Sequence, residues 1–153
     1  DAATLFSLIN LREIRKENDS NFTILSEVLN SNNSELISVE KSDDFVMSER
    51  IINLMLAQLS ENPDLDAFFK ELMQPEGSEI YFRPVTKYID ISNEVTFKEI
   101  STIALNNGES AIGFRLNDQV KDKSHNYGIC LNPNKLDRIR FKTDDQIIVF
   151  SLN

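Results

Sequence analysis

Ser48–Met73, SERIINLMLAQLSENPDLDAFFKELM, is the stretch that decides how the rest of the chain is read. It encodes two helices. Ser48 is placed as N-cap of the first, and Glu49 stands in its opening turn, where a carboxylate complements the helix dipole. From Ile51 to Leu59 seven of nine residues are apolar, the exceptions being Asn53 and Gln58. An ordinary surface helix shows one apolar stripe, so a helix apolar nearly all round is expected to be covered on more than one side. The second helix is announced by Asn62-Pro63-Asp64: a capping residue, a proline at the first helical position, then an acid. Leu65, Phe68, Phe69 and Leu72 follow at helical spacing. Two readings stay open here: a helix pair joining two lobes or two subunits, or the core of one ordinary domain.

Upstream, Asp1 to Lys16 reads as a helix capped by Asp1, with Leu5, Leu8 and Ile9 on one stripe. A chain that opens inside a helix cap is expected to continue a longer one. Phe22 to Leu29, FTILSEVL, reads as a buried parallel strand. Ser34 to Val39 is expected to form one or two helical turns, and Asp43 to Met47 a second short strand running into Ser48. Residues 1–47 thus carry the strand–helix rhythm of a doubly wound sheet, but too few strands to complete one. No G-x-G-x-x-G is present among the four glycines, so the nucleotide-binding first half of such a fold is missing.

Downstream, Glu79 to Val85 reads as a strand closed by Pro84. Thr96 and Glu99 form a capping box, and Val95 with Ile100 a hydrophobic staple, for a helix ending at Asn107 with Gly108 beyond it. Ser110–Leu116, Tyr127–Leu131 and Gln146–Leu152 read as strands. Asp118–Asn126 is a polar loop, and Asn132-Pro133-Asn134 and Thr143-Asp144-Asp145 are turns. The fold expected is α/β: the C-terminal half of a Rossmann-like lobe over 1–47, a crossover helix pair over 48–75, and an α+β lobe over 76–153.

Composition narrows the function. The chain has 153 residues and a formal charge of −9, which argues against a nucleic-acid backbone or an anionic membrane surface as partner. One cysteine, Cys130, excludes an internal disulfide. No apolar run approaches the ~18–20 residues that span a bilayer. Nowhere is there a catalytic constellation, and no G-x-S-x-G elbow supports a serine nucleophile; the chain is read as no enzyme. The single histidine, His125, lies in a polar loop and with Cys130 falls short of a zinc site. Cys130 itself reads as a small core residue.

Several stretches, taken together, carry a family resemblance. Gly108-Glu109-Ser110-Ala111-Ile112-Gly113-Phe114, Leu131-Asn132-Pro133-Asn134 and Thr143-Asp144-Asp145-Gln146-Ile147-Ile148-Val149-Phe150 resemble the C-terminal (TrkA-C) subdomain of regulator-of-K⁺-conductance (RCK) proteins, with Asp144 standing where that family has glycine. Asp1-Ala2-Ala3-Thr4-Leu5, Ile9-Asn10-Leu11-Arg12, Ser26-Glu27, Ser48-Glu49-Arg50, Leu56-Ala57-Gln58-Leu59 and Pro75 to Tyr81 resemble the CASTOR/POLLUX branch of ion channels. The resemblance implies a cytosolic regulatory or gating module of a cation channel or transporter, K⁺ in particular, on the cytoplasmic side of a membrane. The parent chain would supply the pore and the first Rossmann half. It further implies a homo-oligomer, a dimer or gating ring, built on the crossover helices; Ile51, Ile52, Met55, Leu59, Phe68 and Phe69 are the interface residues expected. The alternative is a free-standing ligand-binding or interaction domain with no pore.

One candidate ligand site remains. Asp43, Asp44 and Glu49 cluster where a strand runs into a helix, which is where ligands sit in α/β sheets, and hard cations want several carboxylates. Related channel regulators use acids in this region for Ca²⁺. The competing explanation is that Asp44 and Glu49 merely favour the helix N-terminus. No other cofactor is expected. Asp118 and Asp122 alternate with Lys121 and Lys123 and read as solvated charge.

Overall fold

The computed structural model describes residues 2–19, 22–28, 45–74 and 76–152. It divides into two compact units, 1–68 and 69–153. The division falls within the second of the two central helices.

In the first unit, α1 (Ala2–Glu17) precedes β1 (Ser26–Val28), β2 (Phe45–Met47) and α2 (Ser48–Glu61). Arg15 and Lys16 close α1 where cations suit the dipole. The Asn18 amide donates to the Ile14 carbonyl at 2.9 Å, and Asp19 turns the chain away with φ 46°. Leu8 is buried whereas Ile9, expected on the same stripe, is exposed. β1 and β2 pair in parallel, Ser26 opposite Phe45 and Val28 opposite Met47. Parallel neighbours need a crossover between them, which is the strand–helix rhythm read from the sequence. The helical turns expected at 34–39 lie outside the described residues. β1 is shorter than FTILSEVL suggested: Phe22 to Leu25 have no regular structure, Ile24 alone of them is buried, and Leu25 is exposed. Among the described residues the ladder runs over three pairs.

α3 (Leu65–Leu72) follows a turn in which the Asn62 side chain accepts from the Asp64 N–H at 3.2 Å. Asn62 therefore does the capping work read from the sequence, with the first full helical residue, Leu65, two places after the Pro63 expected there.

The second unit is built on β3 (Ser78–Pro84), α4 (Phe97–Asn106), β5 (Ser110–Arg115), β6 (Ile129–Leu131) and β8 (Gln146–Leu152). The strand order is β3-β8-β5-β6, antiparallel throughout. A further short pair, β4 (Val95–Thr96) with β7 (Arg138–Ile139), was not expected. Phe97, Ile100 and Ala104 of α4 pack on Phe114, Ile147 and Val149, with Val85, Tyr88 and Phe141 closing the core. Cys130 packs against this core, in keeping with its sequence context.

α4 begins as its sequence dictates. Thr96 Oγ1 accepts from the Glu99 N–H, and the Glu99 carboxylate accepts from the Thr96 N–H at 2.7 Å. At its end Gly108 has φ +73°, a conformation open to glycine at little strain. Gly113 is required for a different reason. It sits at a bulge in β5, and a Cβ there would meet the Cys130 carbonyl oxygen at 2.3 Å. β6 starts at Ile129 rather than Tyr127, because Asn126 and Tyr127 take φ 51° and 56° and cannot lie in a ladder. Asp144 keeps a negative φ, so the turn before β8 does not require a glycine at that position.

Candidate functional site

α2 carries four exposed large apolar side chains and has no buried residue. At ~100° per residue, Leu54, Ile51, Met55, Leu59, Ile52 and Leu56 span an arc of about 200°. Glu49, Ser60, Asn53, Ala57, Arg50 and Glu61 fill the remainder, and Gln58 falls inside the apolar arc, between Leu54 and Ile51. The helix is therefore apolar over a wide face rather than all round, a correction to the sequence reading. It comes from Asn53 being joined on one side by Glu49, Arg50, Ser60 and Glu61, polar residues just outside the Ile51–Leu59 run. Met55 and Leu59 are half-buried, while Ile51, Ile52, Leu54 and Leu56 are 44–60% exposed. The cover expected from the sequence is not supplied by the described residues. Phe68 and Phe69 lie on α3, the first exposed and the second half-buried.

Of the three acids read as a cation site, Asp43 and Asp44 lie outside the described residues. Glu49 is exposed in the first turn of α2. Just before it, the Ser48 hydroxyl donates to the Glu27 carboxylate, tying the start of α2 to β1. Among the described residues no group of three His, Cys, Asp or Glu side chains is placed to hold a metal ion.

The polar loop is internally tied. Asp122 accepts from the Ser124 hydroxyl at 2.6 Å and pairs with His125 Nδ1 at 2.6 Å. These contacts hold its carboxyl down to about 2, the Ser124 hydroxyl contributing most and the His125 contact next. Asp118 pairs with Lys142 at 2.7 Å.

Two buried acids escaped the sequence reading as sites. Asp145 accepts from the Asn117 N–H at 2.8 Å and the Lys142 N–H at 2.7 Å, and so fixes the turn into β8. Glu109, 4% exposed, accepts from Lys87 Nζ at 2.8 Å and Tyr88 OH at 2.6 Å, with Arg83 Nε 3.5 Å away. Burial pushes the Glu109 carboxyl up, but the Lys87 and Tyr88 hydrogen bonds and the charges of Lys87 and Arg83 outweigh it and hold the group below its ordinary value. The available signal was an acid placed between a helix-ending glycine and an apolar strand. Its partners, some twenty residues upstream, carried none. Both acids brace the lobe.

The chain is 31% identical over 144 residues to the probable ion channel POLLUX of Oryza sativa subsp. japonica, a match that takes in 92% of this chain and 14% of that protein. It is 28% identical over 139 residues to the probable ion channel CASTOR of the same plant, covering 91% of this chain and 15% of that one. The chain is a homologue of the CASTOR/POLLUX ion channels. It spans about one seventh of the length of these relatives. The POLLUX of Arabidopsis thaliana matches at 32% identity over 106 residues, 69% of this chain and 13% of that one. No protein-family model matches. Among solved structures, a GsuK channel bound to NAD aligns with 99% of this chain and 24% of its own, at 15% identity and a TM-score of 0.41. The mixed α/β architecture stands on the elements described above.

Proposed function

We propose that the chain is a cytosolic regulatory module that gates a cation channel, with K⁺ as the ion, and that it self-associates through the apolar face of α2. The observation that carries the proposal is that face: Ile51, Ile52, Leu54 and Leu56 side by side and half exposed, in a chain homologous to ion channels over nine-tenths of its length. Contiguous exposed aliphatic surface of this kind marks interaction sites. The pore and the first Rossmann half belong to the parent chain, and the three-part division at 47 and 75 is part of the same reading. Met55, Leu59, Phe68 and Phe69 complete the interface. Asp43, Asp44 and Glu49 are the proposed seat of a divalent cation.

The test is sedimentation of the wild type and of Ile51→Glu/Ile52→Glu at tens of micromolar. Both side chains are exposed within the single chain, so the variant keeps its fold while charging the interface. The wild type is expected to sediment as a dimer or larger and the variant as a monomer. A monomeric wild type removes the interface. In the parent channel, the same variant is expected to change open probability and leave unit conductance alone. Unaltered gating removes the regulatory role.

A further inference from the structure

Asn107-Gly108 is the single Asn-Gly step in the sequence, and the fold sets it directly before a buried anchor. It closes α4. The Gly108 N–H donates to the Leu105 carbonyl at 3.0 Å and the Glu109 N–H to the Ala104 carbonyl at 2.9 Å, with Gly108 at φ +73°. Together these bonds make the glycine-centred end of a helix. The next side chain is Glu109, held in the interior by Lys87 and Tyr88. Asn107 and Gly108 themselves are exposed. Among the described residues nothing hydrogen-bonds the Asn107 side-chain amide, and a Cβ built on Gly108 would meet nothing within 4 Å.

We infer that this step modifies itself: Asn107 deamidates without an enzyme, and the product unseats Glu109. The Gly108 backbone nitrogen attacks the Asn107 side-chain carbonyl carbon, and the new C–N bond closes a five-membered succinimide. The bond from that carbon to the side-chain nitrogen breaks, and ammonia leaves with the proton that Gly108 gives up. Water then opens the ring at either carbonyl, leaving aspartate or isoaspartate. Amide and water go in, carboxylate and ammonium come out, and nothing is oxidised or reduced. Glycine suits the attack because no Cβ crowds its nitrogen. Other asparagines are guarded. Asn62 and Asn132 precede prolines, which have no N–H. Asn18 and Asn134 have their side chains hydrogen-bonded. Asn126 precedes Tyr127, whose side chain stands in the way. In the closed helix end, ψ 6° at Asn107 turns the Gly108 nitrogen away from the side chain. Attack therefore occurs when the last turn opens, and exposed helix ends open at low cost.

The product opposes the fold in two ways. A carboxylate at the C-terminal end of α4 stands against the helix dipole. Isoaspartate also routes the backbone through the former side chain, adding one carbon between residues 107 and 108. The Gly108 and Glu109 N–H groups then cannot both reach Leu105 and Ala104, and the Glu109 carboxylate is drawn away from Lys87 and Tyr88. The step is a one-way covalent switch on the stability of the second unit. It lies on a different unit from α2 and does not rest on the proposed α2 interface.

The test holds the wild-type chain in warm, mildly alkaline buffer and samples it over weeks, with the starting sample as reference. Trypsin releases Glu99–Arg115, whose two asparagines are Asn106 and Asn107. A gain of one mass unit is expected on this peptide, placed at Asn107 by fragmentation, with isoaspartate among the products. Followed by tyrosine dichroism, the aged protein is expected to show a second, lower melting transition. Aged Asn107→Gln, whose longer side chain would have to close a six-membered ring, is expected to show neither change. In Glu109→Gln, where the anchor is already weakened, ageing is expected to lower the midpoint by less than in wild type. No mass gain at Asn107, or a gain as large at Asn106, overturns the inference. So does converted protein that melts with the unconverted, or a loss in Glu109→Gln equal to that in wild type.

Discussion

Replacing Glu109 with glutamine removes one charge from the interior of the second unit and leaves its shape alone. Lys87 donates to one carboxylate oxygen and Tyr88 to the other, so the amide oxygen keeps the Lys87 donor while the NH2 faces the Tyr88 hydroxyl and donates to it instead; what is lost is charge assistance. A hydrogen bond to an ionised group contributes about 1.5–3 kcal/mol against about 1 for a neutral one. Lys87 and Arg83 are 43% and 36% exposed, so both recover water when the carboxylate goes, and the pair term is discounted accordingly. The expected loss is about 1–2 kcal/mol, which for a domain of this size is roughly 5–15 °C in Tm. The readout is specific, because the chain has no tryptophan and its three tyrosines, Tyr81, Tyr88 and Tyr127, all lie in the second unit. Near-ultraviolet tyrosine dichroism thus reports that unit's unfolding alone. The pH dependence supplies the sign. The folded Glu109 carboxyl sits below its ordinary value of 4.5, so its contribution is full above that pH and fades as pH falls through the lower folded value. The gap between wild type and Glu109→Gln should be widest near pH 7 and close in acid. A variant as stable as wild type at pH 7, or a gap that persists unchanged to pH 3, refutes the reasoning.

Gly113→Ala should push the β5–β6 pair apart, since its Cβ would stand 2.3 Å from the Cys130 carbonyl oxygen; a loss of about 1–3 kcal/mol in urea titration is expected, and an unmoved midpoint counts against it. If Asp43, Asp44 and Glu49 bind a divalent cation with a Kd of ~10⁻⁵ to 10⁻³ M, saturating Ca²⁺ should raise wild-type stability by about 1 kcal/mol or more. Asp43→Asn/Asp44→Asn/Glu49→Gln should remove that shift, and an equal shift in both proteins sinks the site.

Features set by neighbours a few residues apart were legible in the chain itself. Thr96 and Glu99 satisfy each other's backbone donors across three residues, so the start of α4 could be read before any tertiary contact was known. The same holds for the turn at Asn62 and for β8, whose bounds match the sequence reading residue for residue. The apolar content of α2 was legible as well, and with it the candidate interface. Which side of α2 stays uncovered was not, because that depends on what the rest of the chain places there. Strand order followed the same rule. β3 pairs with β8 across more than sixty residues, and only that pairing makes β3 an edge with Ile80 and Phe82 turned outward. Glu109 looks in sequence like any acid after a helix-ending glycine. It becomes a buried anchor because folding brings Lys87 and Tyr88 to it from more than twenty residues away. Local hydrogen bonds involve few residues and leave a pattern in the sequence. Long-range pairing is chosen by the whole core at once, and no single stretch encodes it.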